Sequence, residues 1–151
     1  MKKTISQYVI SPIILFTTVI IMGYTSTALA IKVNGSLGTK ATAVDLYRST
    51  CIRDASGVTG QFFARVEAIT KGPLVSVKVK KGIKSVKTTD PKNADKIPGP
   101  NAILKGAGDG VYDISVDKRG LGIVNYVLQT HCRTAAGKKT NQVGPKLIQN
   151  Q

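Results

Sequence analysis

Two cysteines, one histidine and a run of lysines are the residues of this chain whose types and spacing could support chemistry. Cys51 and Cys132 are the only cysteines among 151 residues, and His131 is the only histidine. Nucleophilic catalysis in its commonest forms needs a histidine as base beside a serine or cysteine. Because adjacent residues of a strand point to opposite faces, His131 cannot readily reach the sulfur of Cys132. We therefore predict a solvent-facing His131 and no catalytic residues.

The carboxylates do not form an evident catalytic pair either. Asp113 and Asp117 share one face of a predicted strand, but four residues separate them by roughly 13 Å. Paired carboxylates of glycoside hydrolases stand roughly 5–9.5 Å apart, so we expect these two to pair with lysines across strands. One histidine and two bridged cysteines do not supply the three or four ligands of a zinc or copper site. We predict no metal and no cofactor.

Lysines dominate the middle of the chain and are diluted there only by Asp90 and Asp95. They predict a face that binds anionic groups as point charges, with an affinity that falls steeply as salt rises. Aromatic residues are not interleaved among them, so nucleic acid is not the expected partner. The alternative is that these lysines only keep an exposed sheet edge from aggregating. The candidate residues are Lys78, Lys80, Lys81, Lys84, Lys87, Lys92 and Lys96.

Residues 1–30 have the three parts of a signal peptide. Lys2 and Lys3 form a positive start, an apolar run spans residues 9–22, and Ala28-Leu29-Ala30 has the small-residue spacing of a cleavage site. A retained membrane anchor is the alternative, although Pro12 and neighbouring polar residues shorten the apolar core below the roughly 20 residues that a span needs. We predict cleavage after Ala30 and an exported protein, periplasmic or secreted.

Removal of these residues takes away two lysines and no acidic residue. The mature 121 residues then carry 20 basic and 8 acidic side chains, a net charge of +12, which attracts anionic polymers or surfaces. In an exported protein two cysteines most often pair. A Cys51–Cys132 disulfide would close a loop of about 80 residues and stabilise the fold by roughly 4–5 kcal/mol.

The mature chain alternates apolar and polar residues with a period of two and shows no helical stripe. Residues 41–52, 62–69, 75–79, 111–117 and 123–132 are the clearest strands, with turns of Gly, Pro, Asp and Asn between them. The sequence thus predicts an all-β, antiparallel, two-sheet sandwich over residues 31–136. A long exposed lysine-rich loop or weak edge hairpin is expected at about 80–100, and a polar basic tail or edge strand at 137–151.

The strand rhythm together with Cys51…Cys132 resembles the immunoglobulin-like fold over residues 41–133. Tyr126, six residues before Cys132, is loosely similar to the tyrosine corner of that family. The segment from Gly108 to Cys132 also resembles the closing hairpin of small uncharacterised exported bacterial proteins. The resemblance implies a sandwich stapled by one disulfide, and it implies no activity.

We expect an exported, non-enzymatic binding module whose basic face takes an anionic envelope surface, glycan, lipid or acidic protein partner. The competing expectation is a structural subunit that assembles by strand addition at an exposed edge such as 31–36 or 143–149. An enzyme or enzyme inhibitor whose site forms only in the fold is a third class. The sequence leaves the oligomeric state open.

Overall fold

The computed structural model describes residues 30–150, so the predicted signal peptide lies outside the described residues except for Ala30. The described residues contain no helix, and therefore no helix long and apolar enough to span a membrane. Nine strands follow one another along the chain: β1 (Ile31–Leu37), β2 (Val44–Ile52), β3 (Gln61–Ala68), β4 (Val75–Lys81), β5 (Lys84–Thr89), β6 (Ala102–Lys105), β7 (Gly110–Lys118), β8 (Val124–Arg133) and β9 (Lys139–Gln149).

Every strand pairing is antiparallel, and the strands form one continuous path in the order β5-β4-β7-β2-β9-β8-β3-β6, with β1 also paired to β8. The terminal strands β5 and β6 lie close together. Lys84 Nζ donates to Gly106 O at 2.6 Å and so links the start of β5 to the turn after β6. The predicted all-β antiparallel class is confirmed, but the strands form one nearly closed, barrel-like path instead of two separate sheets.

The last strand lies between the two halves of this path; of the two predicted alternatives at 137–151, a tail or an edge strand, the segment forms a strand. β9 pairs with β2 along most of its length and with β8 through Lys139 and Thr140. The residues of β9 are mostly polar, so their composition carried no signal of an interior position. Long-range backbone pairing places the strand there.

The predicted disulfide is confirmed and shows how sharply the path bends at β9. In a flat sheet, two strands separated by a third lie about 10 Å apart. Cys51 of β2 and Cys132 of β8 are bonded, with their Cα atoms 5.8 Å apart. The path therefore folds over at β9 and brings the inner faces of its two halves together.

Alternating side chains fill the core between these halves. Inward residues of β3, β4, β7 and β8 are almost completely buried, in the phase that the sequence predicted. In β2 the face that contains Tyr47 and Cys51 points inward. The main core residues are Phe62, Val66, Val75, Val77, Val79, Tyr112, Ile114, Val116, Val124, Tyr126 and Leu128.

A buried hydrogen-bond chain crosses the core between β2 and β8. The Tyr126 hydroxyl donates to the Asp45 carboxylate at 2.5 Å and lies 2.7 Å from the Tyr47 hydroxyl. Burial raises the pKa of Tyr126, and the bond to Asp45 raises it further. Burial is also the main cause that raises the pKa of Tyr47. Both hydroxyls therefore stay protonated and available as donors.

The lysine-rich segment, predicted as a long exposed loop or a weak edge hairpin at about 80–100, is a β4–β5 hairpin followed by a loop. Gly82 has a φ of 57° and allows the tight turn between β4 and β5. Val86, which is partly buried against the core, pairs with Val79. After β5 the buried Asp90 carboxylate accepts the backbone N–H groups of Ala68 and Lys92, which fixes the path of the loop.

We expect Tyr126→Phe to lower the free energy of unfolding by about 2 kcal/mol, because the substitution deprives a buried carboxylate of a donor. Tyr47→Phe is the matched control. It leaves the Tyr126–Asp45 bond intact and should cost about half as much. Urea unfolding of both variants makes the comparison, and equal losses would contradict the central place of Tyr126 in the chain.

Candidate functional site

The outer face of β4 carries two of the predicted lysines beside a shallow groove. Lys78 and Lys80 alternate with buried valines and so point away from the core. Ser115 and Asp113 of β7 stand opposite them. We call this the lysine groove; it has a volume of about 350 Å³ and is lined by Leu46, Tyr47, Arg48, Lys78, Lys80, Asp113, Ile114, Ser115 and Ile148.

Carboxylates near the groove are engaged by other cations. Arg48 Nε donates to Asp113 Oδ1 at 2.9 Å, and Lys87 Nζ donates to Asp117 Oδ2 at 2.7 Å. These bonds agree with the expected cross-strand pairing, although an arginine takes the first carboxylate. Among residues 30–150, Lys78 and Lys80 form no ion pair and no hydrogen bond through their side chains. Their two charges are therefore available to a ligand.

Two further predicted lysines serve the architecture. Lys81 Nζ donates to the carbonyl oxygens of Gly108 and Asp109 and lies 4.6 Å from the centre of the Tyr112 ring. Burial lowers the pKa of Lys81, and the nearby Asp109 charge opposes that shift. With Lys84, this side chain ties the β4–β5 hairpin to the turn between β6 and β7. Neither lysine lies on the groove.

The last two predicted lysines lie at a different part of the molecule. Lys92 and Lys96 belong to the loop between β5 and β6, which runs beside the end of β3. Ala94 N donates to Ala68 O, and Gly99 N donates to Val66 O. The seven lysines therefore occupy three places: the outer face of β4 and β5, the hairpin closure, and this loop.

A cationic cluster on the outer face of β3 and β8 was missed by the sequence analysis. Phe63 and His131 stack with ring centres 4.6 Å apart, and the Arg133 guanidinium lies 4.7 Å from the centre of the Phe63 ring. Arg65 donates from Nε and Nη2 to Gln129 Oε1, so an amide and not a carboxylate holds it. Strand alternation opposite the buried Phe62 and Cys132 was the signal that could have identified this cluster.

His131 lies on the outer face, away from the disulfide, as the strand phase requires. The prediction of a solvent-facing side chain is nevertheless wrong for one edge of the ring, because Nε2 is buried and has no partner among the described residues. Burial lowers the pKa of His131 to about 4, with repulsion from Arg133, Lys139 and Arg65 adding to the shift. The imidazole is therefore neutral near pH 7.

The described residues contain no group of three or more His, Cys, Asp or Glu side chains that could hold a metal ion. Asp113 and Asp117 are occupied in ion pairs on the outer face.

Comparisons with models of known protein families, with curated proteins and with solved structures find no match for this chain. The functional assignment therefore comes from the chain's own surfaces.

We expect the imidazole signal of His131, the only histidine, to titrate with a pKa of about 4 by proton NMR. Arg133→Gln should raise this value, because it removes a repelling charge while burial remains. Because the pKa of His131 is about 4 in the folded protein and ordinarily 6.5, this residue binds more protons in the unfolded chain than in the folded protein between pH 4 and 6.5. Stability from this residue is thus complete above about pH 6.5 and is lost as the pH falls through 4. An ordinary pKa in the folded protein would contradict the burial.

Proposed function

We propose that this protein is an exported, non-enzymatic module that binds an acidic polysaccharide in the lysine groove. The observation that carries the proposal is the pair of unneutralised charges, Lys78 and Lys80, at the edge of a groove with an apolar floor. Residues two apart on a strand lie roughly 7 Å apart. Such a pair can contact successive carboxylate or sulfate groups of a linear polymer.

The floor of the groove favours a sugar chain over a simple counterion. Leu46 of β2 and Ile148 of β9 contribute apolar surface to the same groove as the lysines. The C–H face of a sugar ring can pack on such side chains while its acidic groups reach the lysines. Arg48, although paired with Asp113, adds a planar donor at the same rim.

Nucleic acid is a poorer fit to this surface. Proteins that bind single strands use exposed aromatic rings as stacking platforms for bases. The five aromatic residues of the described chain are all buried. These five aromatic residues are Tyr47, Phe62, Phe63, Tyr112 and Tyr126.

Export itself is part of the proposal, and the disulfide supports it because such bonds persist in oxidising compartments.

The finer architecture that we propose is the immunoglobulin-like sandwich, with β9 shared by its two halves. It is supported by the sharp bend at β9 and by the disulfide that joins β2 of one half to β8 of the other. In such an arrangement the lysine groove and the Phe63–His131–Arg133 cluster lie on opposite outer faces.

We expect a Lys78→Gln/Lys80→Gln variant to bind polygalacturonate about tenfold more weakly than the wild type at low salt, a loss of roughly 1.4 kcal/mol. Wild-type affinity should also fall as salt rises. Isothermal titration at two salt concentrations measures both effects.

The matched control is Lys105→Gln/Lys138→Gln, which removes the same charge from exposed positions outside the groove. It should leave the affinity nearly unchanged. Equal losses in the two variants would reduce the interaction to net charge alone. No binding by the wild type at low salt would overturn the proposal.

A second candidate is assembly by strand addition, favoured by the edge of β9. Beyond Thr140, β9 pairs only with β2 among the described residues, and Val143, Leu147 and Ile148 are exposed. An unpaired strand edge with apolar side chains is a template for another strand.

Sedimentation velocity separates this candidate from the first. If assembly is the function, the protein should form oligomers at micromolar concentration, and Val143→Lys should dissociate them because a charged edge resists pairing. Our main proposal predicts a monomer in the absence of ligand. A monomer at all accessible concentrations would contradict the assembly candidate.

A further inference from the structure

Four loops meet at the end of the fold that lies opposite the β4–β5 turn. Residues 38–43, 69–74 and 119–123 connect β1 to β2, β3 to β4 and β7 to β8, and residues 90–98 are the first part of the connection from β5 to β6. We call these four segments the loop end. The β4–β5 turn is at the other end, because β4 and β7 are antiparallel and Val75 pairs with Lys118.

Hydrogen bonds join the four loops in two pairs, and Gly120 of one pair lies against the Pro73 ring of the other. Gly122 N donates to Thr39 O at 3.0 Å, which connects the first and last loops. Asn93 Nδ2 donates to the carbonyl oxygens of Gly72 and Pro73 at 2.8 and 2.6 Å. The buried Lys118 Nζ donates to Lys40 O and Gly120 O, both at 2.8 Å. The loop end is therefore organised before any partner arrives.

Large aliphatic side chains project from this surface into solvent. Leu121 is 80% exposed and Ile97 is 65% exposed. Single exposed apolar residues are ordinary on a protein surface, but several on neighbouring loops form a patch that indicates an interaction site. Five of the exposed aliphatic residues lie here: Ile69, Leu74, Ile97, Leu121 and Ile123.

Positive charges are interleaved with these aliphatic residues, and accessible carboxylates are scarce. Asp90 is buried and bonded to backbone N–H groups, and the half-buried Asp95 accepts the backbone N–H of Ile97. No ion pair within residues 30–150 involves the basic side chains of these loops. The exposed cations are Lys40, Lys71, Lys92, Lys96 and Arg119.

We propose that the loop end docks on the surface of an anionic phospholipid bilayer. Aliphatic side chains of the loops enter the boundary between headgroups and acyl chains, and the flanking cations contact lipid phosphates. A bilayer satisfies both features at once, because its anionic phosphates overlie an apolar layer that aliphatic side chains reach at a depth of roughly 5–10 Å. A protein interface more commonly has an apolar centre enclosed by a polar rim. This site uses none of the residues of the lysine groove.

The absence of tryptophan from the sequence allows a site-specific test. A Leu121→Trp variant should show a blue shift of its emission on mixing with vesicles of phosphatidylglycerol and phosphatidylcholine. Pure phosphatidylcholine vesicles and inorganic phosphate should cause no shift, since the first lacks anionic charge and the second lacks an apolar phase. Ile83→Trp is the matched control, because Ile83 is fully exposed between lysines in the β4–β5 turn, at the opposite end. It should show no shift.

Cosedimentation with the same vesicles tests the two components of the surface. Leu121→Ser/Ile123→Ser and Lys71→Gln/Arg119→Gln should each reduce binding by about tenfold, whereas Ile83→Ser and Lys78→Gln/Lys80→Gln should bind as the wild type does. Thermal unfolding of each variant verifies that it is folded.

No shift for Leu121→Trp, or equal shifts for Leu121→Trp and Ile83→Trp, would overturn the proposal. Vesicle binding lost only in Lys78→Gln/Lys80→Gln would also overturn it and would assign lipid binding to the groove. Binding of an acidic peptide with no response to vesicles would assign the loop end to a protein partner. None of these results decides whether the lysine groove binds a polysaccharide, because that proposal is tested separately by the titration of Lys78→Gln/Lys80→Gln.

Discussion

Strands β2 and β8 run in the same direction on either side of β9, and side chains join them at two levels. The disulfide connects Cys51 to Cys132, and six residues earlier on both strands the Asp45 carboxylate accepts a hydrogen bond from Tyr126. In the chain-entropy model the disulfide alone stabilises the fold by about 4–5 kcal/mol. Asp45 and Cys51 are six residues apart on β2, and Tyr126 and Cys132 are six residues apart on β8. The disulfide and the hydrogen bond can therefore both form without a shift in register. With the inner faces joined in this way, strand alternation fixes which side chains point outward.

The candidate surfaces are consequences of that constraint. Lys78 and Lys80 face outward because their neighbours Val77 and Val79 are buried in the core, and Phe63 and His131 face outward because Phe62 and Cys132 do not. The loop end exists because strands of similar length, fixed in register, bring four connections to one end. Other lysines have structural roles: Lys81 and Lys84 close the path near β6. Part of the charge therefore supports the fold.

Local pattern was sufficient to predict the clearest strands, the inward phase of β3, β4, β7 and β8, and the disulfide. It could not identify Asp45, Asp90 or Lys118 as buried, since each is satisfied by groups distant in sequence. The place of β9 between β2 and β8 was not predicted either, because long-range backbone pairing and not a pattern of apolar side chains holds this strand in place. The seven lysines were predicted to share one face because they are close in sequence. Turns at Gly82 and Asp90 instead place them in three different parts of the molecule. The loop end depends wholly on topology, and no single loop predicts it.

We propose that one scaffold carries two separate sites for anionic partners, the lysine groove for an acidic polysaccharide and the loop end for a bilayer. Cosedimentation of fluorescently labelled polygalacturonate with phosphatidylglycerol vesicles, with and without the protein, shows whether both sites act at once. With two sites, the protein should carry the polysaccharide into the vesicle pellet, and either Lys78→Gln/Lys80→Gln or Leu121→Ser/Ile123→Ser should strongly reduce this transfer. Displacement of the protein from vesicles by the polysaccharide would rule out two sites, because mutual exclusion means that a single diffuse positive charge serves both partners.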